Sequence, residues 1–301
     1  MEKGSIAPLI AMPAMLIVVQ LIALFLSPQM EEAGFVAFED PSSVANPFIF
    51  IGILLVLTIV LLALIRLGKK KILTFFIAFS IFFTFLYIFS AAAGTVFGYT
   101  LASTLAAFLL AVGSTMLLYL FPEWYVIDLL GILLAAGVTS IFGISLEVLP
   151  VIVLLTLLAV YDAISVYRTK HMITLAEGVL DLKAPILVVI PKRRDYSFVK
   201  EGISMEKGER GAYVMGMGDL IMPSILVVSA QAFLDAPPVL GIISVPAIGA
   251  MIGSLAGIFV LLRALDSGAP QAGLPPLNGG AIAGFLIGCA VAGAWGWIPG
   301  I

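Results

Sequence analysis

Apolar and polar positions along this chain fall in blocks rather than alternating residue by residue. Runs of about 20 apolar residues, the length a helix needs to cross a bilayer, are separated by short polar stretches. The blocks predict nine spans, over 6–27, 47–66, 72–93, 98–120, 125–142, 147–167, 211–232, 239–263 and 279–298. Only Phe121-Pro122-Glu123-Trp124 divides the fourth from the fifth, and Trp124 suits an interfacial anchor. The run from Ile6 to Leu26 is longer than a signal-peptide core and no small-x-small cleavage site follows it. It therefore reads as a retained span.

One long polar block breaks the rhythm. Residues 168–210 separate six spans from three, dividing the chain into 1–167, the loop 168–210, and 211–301. Inside the loop, Ile186-Leu187-Val188-Val189-Ile190 is bounded by Pro185 and Pro191. Five residues cannot span, but they suit either a short strand or a stretch lying on the membrane surface. The charged half that follows is expected to be partly mobile.

Charge fixes an orientation. With the N-terminus in the cytoplasm, all 15 Lys and Arg fall on the inner side. They are Lys3, Arg66, Lys69, Lys70, Lys71, Arg263 and the nine between Arg168 and Arg210. The opposite loops carry Glu31, Glu32, Glu39, Asp40 and Asp235. This is a positive-inside partition, and it leaves the C-terminus outside with Trp295 and Trp297 near that interface. Composition agrees: 62% of residues are hydrophobic and 11% charged, against about 25% charged in soluble domains. The expectation is an all-α, multi-pass protein of the cell membrane, with the lipid bilayer as a partner and no nucleic acid. The single Cys289 excludes an internal disulfide. His171, the only histidine, has no neighbours at ligand spacing, so neither a metal nor a cofactor is expected.

Within this apolar background two acids stand out. Asp162 lies in LLTLLAVYDAISVY and Asp219 in YVMGMGDLIMPSILVV. A carboxylate at the centre of a spanning helix costs roughly 2.5–3.5 kcal/mol by insertion measurements, and such residues usually mark function. Asp162 precedes Arg168 by six residues, and Asp219 follows Arg210 by nine. At 1.5 Å per residue both lie roughly 9–13 Å from the cytoplasmic boundary, on oppositely directed segments. A pair of this kind can perform acid–base hydrolysis. It can equally serve an ion channel or a proton-coupled transporter. Other acids read as local: Asp128 favours the dipole near the start of its helix, and Glu147 marks a helix start.

The flanks sharpen the choice. Gly216-Met217-Gly218 precedes Asp219, and Tyr161 precedes Asp162. Glycine inside a helix costs about 1 kcal/mol relative to Ala but permits close backbone approach. Before the last span stands Pro275-Pro276-Leu277, a run that resists helix. Two further glycine sets, Gly249/Gly253/Gly257 and Gly280/Gly284/Gly288, recur every four residues and read as helix-packing faces.

Together these residues resemble the presenilin and signal peptide peptidase superfamily of intramembrane aspartyl proteases. The match lies in Tyr161-Asp162 of the sixth span, Gly216-Met217-Gly218-Asp219 of the seventh, and Pro275-Pro276-Leu277 before the ninth. At the last motif the family has Pro-Ala-Leu, so Pro276 is a departure. The resemblance covers essentially the whole chain and implies a presenilin-like fold. It implies that Asp162 and Asp219 are catalytic, and that Tyr161, Gly216, Met217, Gly218, Pro275, Pro276 and Leu277 shape the site. It further implies single-span membrane protein substrates. The chain looks like a compact microbial homologue that needs no obligate partner subunit. The cytoplasmic N-terminus matches the presenilin branch, since signal peptide peptidases are inverted. Prepilin peptidases share G-x-G-D but carry a lysine two positions after the Asp, where Leu220-Ile221-Met222 follow here. An unwound substrate is expected to pair by strand addition at Ile186–Ile190 or Pro275–Leu277.

Overall fold

A computed structural model describes residues 6–169, 187–193, 195–201, 211–239, 241–265, 271–298 and 300. His171, Lys3, Ile186 and Arg210 lie outside the described residues. Among the described residues the apolar blocks fold as nine helices: α1 (Ile6–Glu32), α2 (Ala45–Arg66), α3 (Lys70–Phe97), α4 (Leu101–Leu120), α5 (Trp124–Ser145), α6 (Val148–Ile164), α7 (Met217–Phe233), α8 (Val245–Leu265) and α9 (Leu274–Ala292). Eight are long and apolar enough to cross a membrane, α6 when the π-helical continuation to Arg168 is included; α7 has 17 residues and falls short by length.

Four predicted boundaries move. The block 211–232 is not one helix. Ala212–Gly216 forms strand β2, antiparallel to β1 (Leu187–Pro191), and the helix begins only at Met217. The block 239–263 opens with a two-residue hairpin, β3 (Pro238–Val239) against β4 (Ile243–Ser244), around Gly241 at φ 72°. Pro275-Pro276-Leu277 does not resist helix; it is the first turn of α9, where missing N–H groups cost nothing. Glu31 and Glu32, expected in a loop, extend the end of α1.

Helix α7 is the hub. Its residues from Pro223 to Ala230 are all buried, as expected of a helix that is apolar all round. Leu220 and Val228 face a core shared with α1, α5 and β1, while Ile225, Leu226 and Val227 face a second core built with α6, α8 and α9. Buried side chains stitch the bundle, with Gln20 donating to Ser254 at 3.0 Å and Ser140 to the Ala23 carbonyl at 2.8 Å. Such bonds satisfy polar groups where water is absent.

The described part of the long loop is docked on the helices. Tyr196 and Phe198 are buried. Ser197 Oγ donates to Glu123 Oε1 at 2.7 Å, the Phe198 N–H donates to Glu123 Oε2 at 3.0 Å, and Arg193 pairs with Glu201 at 2.7 Å. Burial first, then the carboxylates of Glu201 and Glu123, hold the Tyr196 phenol above its ordinary value.

Candidate active site

Asp162 stands three residues from the end of α6 and is 5% exposed. The helix then changes to a π-helical turn, Ser165–Thr169. Asp219 stands in the first turn of α7 and is half-buried. Gly216 is the residue that caps this helix, and its N–H donates to the Asp219 side chain. That is half of a capping box: the third helical residue reaches back to the cap and holds its own carboxylate in place. Pro223, four residues on, leaves the Asp219 carbonyl without its helical donor.

The turn ahead of α9 joins the two acids. The Leu274 N–H donates to Asp162 Oδ2 at 3.0 Å, and the Gly273 N–H donates to the same side chain. Gly273 also lies against the other carboxylate: a Cβ there would stand 2.7 Å from Asp219 Oδ1. The two carboxylates are within electrostatic reach of each other. Only glycine lets this backbone approach Asp219 while its neighbour binds Asp162. Tyr167, in the π-helical turn, pins the same segment by donating to Gln271 Oε1 at 3.0 Å and accepting from the Ala272 N–H at 3.3 Å.

Of the other predicted residues, Met217 is buried against Gly131 of α5 and Leu277 is fully buried. Pro276 presses its carbonyl on Gly257 of α8, which has no room for a Cβ. Gly218 is exposed, with open space where a side chain would be, and Tyr161 is half-buried beside Asp162. Pro275-Pro276-Leu277 thus anchors the start of α9 and leaves contact with the carboxylates to Gly273 and Leu274. Sequence reasoning missed Gly273, Leu274 and Tyr167. The available signal was the glycine two residues before the prolines.

Pro275–Leu277, one of the two segments expected to pair with an unwound substrate, is helical. On the outer edge of β1 the Val189 N–H donates to Asp128 Oδ1 at 2.8 Å. Asp128, an acid near the start of its helix as read from the sequence, is buried and bonded to the sheet. In an antiparallel pair, bonded and non-bonded positions alternate. Lys192 bonds to Gly211 and Val189 faces Asp128, so Val188 and Ile190 face β2. On β2, Ala212, Val214 and Gly216 face outward, and no third strand joins among the described residues.

A buried and a half-buried carboxylate are thus gathered at one end of a helical bundle by a common turn. The family model for signal-peptide peptidase, presenilin aspartyl protease matches residues 13–294. A solved presenilin family intramembrane aspartate protease is 55% identical and has a TM-score of 0.72, covering 95% of this chain and 100% of the other. A second structure under the same description, in another crystal form, is 55% identical with a TM-score of 0.71, covering 95% and 98%. No curated protein matched. The chain belongs to the signal-peptide peptidase and presenilin family of aspartyl proteases, and it is a multi-pass intramembrane aspartic endopeptidase. The channel or transporter reading finds no support in these relatives.

Proposed function

We propose that Asp162 and Asp219 form the acid–base dyad that hydrolyses peptide bonds of single-span membrane proteins. The observation that carries this reading is the Gly273–Leu274 turn, which touches both carboxylates at once. Two carboxylates this close cannot comfortably both ionise, so the pair holds one proton. The ionised member takes a proton from water as its oxygen attacks the scissile carbonyl. The protonated member donates to the developing oxyanion, and a proton then passes to the leaving amine. No covalent intermediate is required. Tyr161, Gly216, Met217, Gly218, Pro275, Pro276 and Leu277 shape the surroundings. Nine spans place the N-terminus in the cytoplasm and the C-terminus outside the cell membrane, and the chain works without an obligate partner subunit.

A substrate helix hides its carbonyls in its own hydrogen bonds and must unwind locally. The extended segment then adds to the outer edge of β2, which ends at Gly216, three residues before Asp219. Exposed Gly218 leaves room for that peptide to reach the carboxylate.

The test is cleavage of a single-span peptide by the purified protein in detergent. Asp162→Asn and Asp219→Asn should each abolish turnover, and cleavage persisting in either would overturn the dyad. Val214→Pro removes an outward N–H without touching the β1 ladder. It should weaken cleavage of the peptide by about tenfold, the worth of roughly 1–1.5 kcal/mol of hydrogen bonding; unchanged turnover would exclude pairing at that edge.

A further inference from the structure

One buried carboxylate takes no part in this chemistry. Asp128, on α5, is 5% exposed. Its Oδ1 accepts from the Val189 N–H, while its Oδ2 is buried without a donor among the described residues. Among those residues no cation pairs with it. An unpaired acid in an apolar helix is costly, and what the fold takes from this one is a single acceptor oxygen.

A second observation lies on the same face of α5. Positions three apart on a helix are neighbours, and three residues after Asp128 comes Gly131. A Cβ there would stand 2.6 Å from Met217 Cε, so the missing side chain is the hollow that Met217 fills. One face of α5 therefore grips the segment ahead of Asp219 twice. Asp128 holds β1 through Val189, whose strand partner is Val214. Gly131 seats Met217, two residues before Asp219. Between these grips lies Gly216, whose N–H holds the Asp219 carboxylate.

We infer that Asp128 is a positioning residue for Asp219: it fixes the β1–β2 sheet on α5 and so sets where the first turn of α7 meets Gly273. The inference rests on the assignment of Asp219 to the dyad. Asp128 acts as a hydrogen-bond acceptor, and its charge is not used.

The experiment uses the full chain in detergent with a single-span peptide substrate. Asp128→Ala should lower kcat roughly 10- to 100-fold, as sub-ångström to ångström misplacement of a reacting group does, with little change in KM. Asp128→Asn keeps an oxygen for Val189 and should recover most of that rate. Affinity for a hydroxyl-containing peptide isostere should fall in Asp128→Ala in parallel with kcat/KM, because such a mimic needs both carboxylates in register. A merely structural role would lower folded yield and melting temperature but leave kcat per folded molecule intact, and that result would overturn the inference. So would Asp128→Asn proving as slow as Asp128→Ala. If Asp128→Ala does not fold, the other grip decides. Gly131→Val should slow turnover by displacing Met217, and adding Met217→Ala should restore part of it; no restoration would overturn the proposal. Cleavage persisting in Asp219→Asn would remove the catalytic assignment itself, whatever Asp128 does. A normal Asp128→Ala beside an inactive Asp219→Asn would remove only this inference.

Discussion

Helix α6, which carries Asp162, is held in opposite ways on its two sides. On one side is α9. Its Leu274 N–H binds Asp162, and its Asn278 Nδ2 donates to the Leu155 carbonyl at 3.0 Å. Helix α9 is itself locked to α8, where Gly249, Gly253 and Gly257 meet the backbone of Gly284, Gly280 and Pro276 without space for a single Cβ. On the other side is α2. Of its 22 residues only Asn46 and Pro47 are buried, and Ile53, Val56 and Ile59 are more than 60% exposed. Backbone-to-backbone packing fixes the first partner, whereas the second is an apolar rod whose environment is lipid. The site is thus built against a rigid pair and bordered by a replaceable one.

Three substitutions put this contrast to the test. The largest effect is expected for Gly253→Leu, which drives a side chain into the Gly280 carbonyl. Overpacking against backbone has no flexible neighbour to yield, so it should cost about 3 kcal/mol or more. Thermal unfolding in detergent would measure this, and a tolerant variant would show the α8–α9 contact to be soft. Asn278→Ala comes next. Losing the Leu155 bond should cost about 1–2 kcal/mol and slow turnover by loosening α6 against the turn that touches Asp162. The check is melting temperature together with kcat on one preparation. The smallest change is expected for Ile53→Ala, within about 0.5 kcal/mol, as for exposed positions generally. A loss above 1 kcal/mol on the same scale would mean that α2 packs on something the contrast omits.

Much of this was legible in the chain. Apolar runs of about 20 residues announce helices because a helix satisfies all its backbone groups within one segment, so all nine blocks hold a helix among the described residues. Asp162 and Asp219 were conspicuous for the same reason: polar residues in apolar runs need a cause. What escaped were features written in backbone rather than in side chains. Ala212-Tyr213-Val214-Met215-Gly216 is apolar and abuts a helix, so its periodicity cannot separate a strand from one more helical turn. The strand forms because β1 returns from the distant loop to pair with it. Gly273 and Leu274 act through N–H groups and a missing Cβ, and every residue except the 17 prolines offers the first while 29 residues offer the second. Asp128 was visible as an acid near a helix start, but its partner Val189 lies 61 positions away.

The shortness of α7 carries a final consequence. Its 17 residues make a rod about 25 Å long, whereas the hydrocarbon layer is about 30 Å thick. The missing turn is the one that would have enclosed Asp219 in hydrocarbon, and β2 stands in its place. Strand backbone at that depth is tolerated only where protein or a wet cavity surrounds it. Hydrolysis consumes a water molecule for every bond cut, and a helix one turn short of the hydrocarbon thickness shortens the path that water must travel to its first turn, where Asp219 stands.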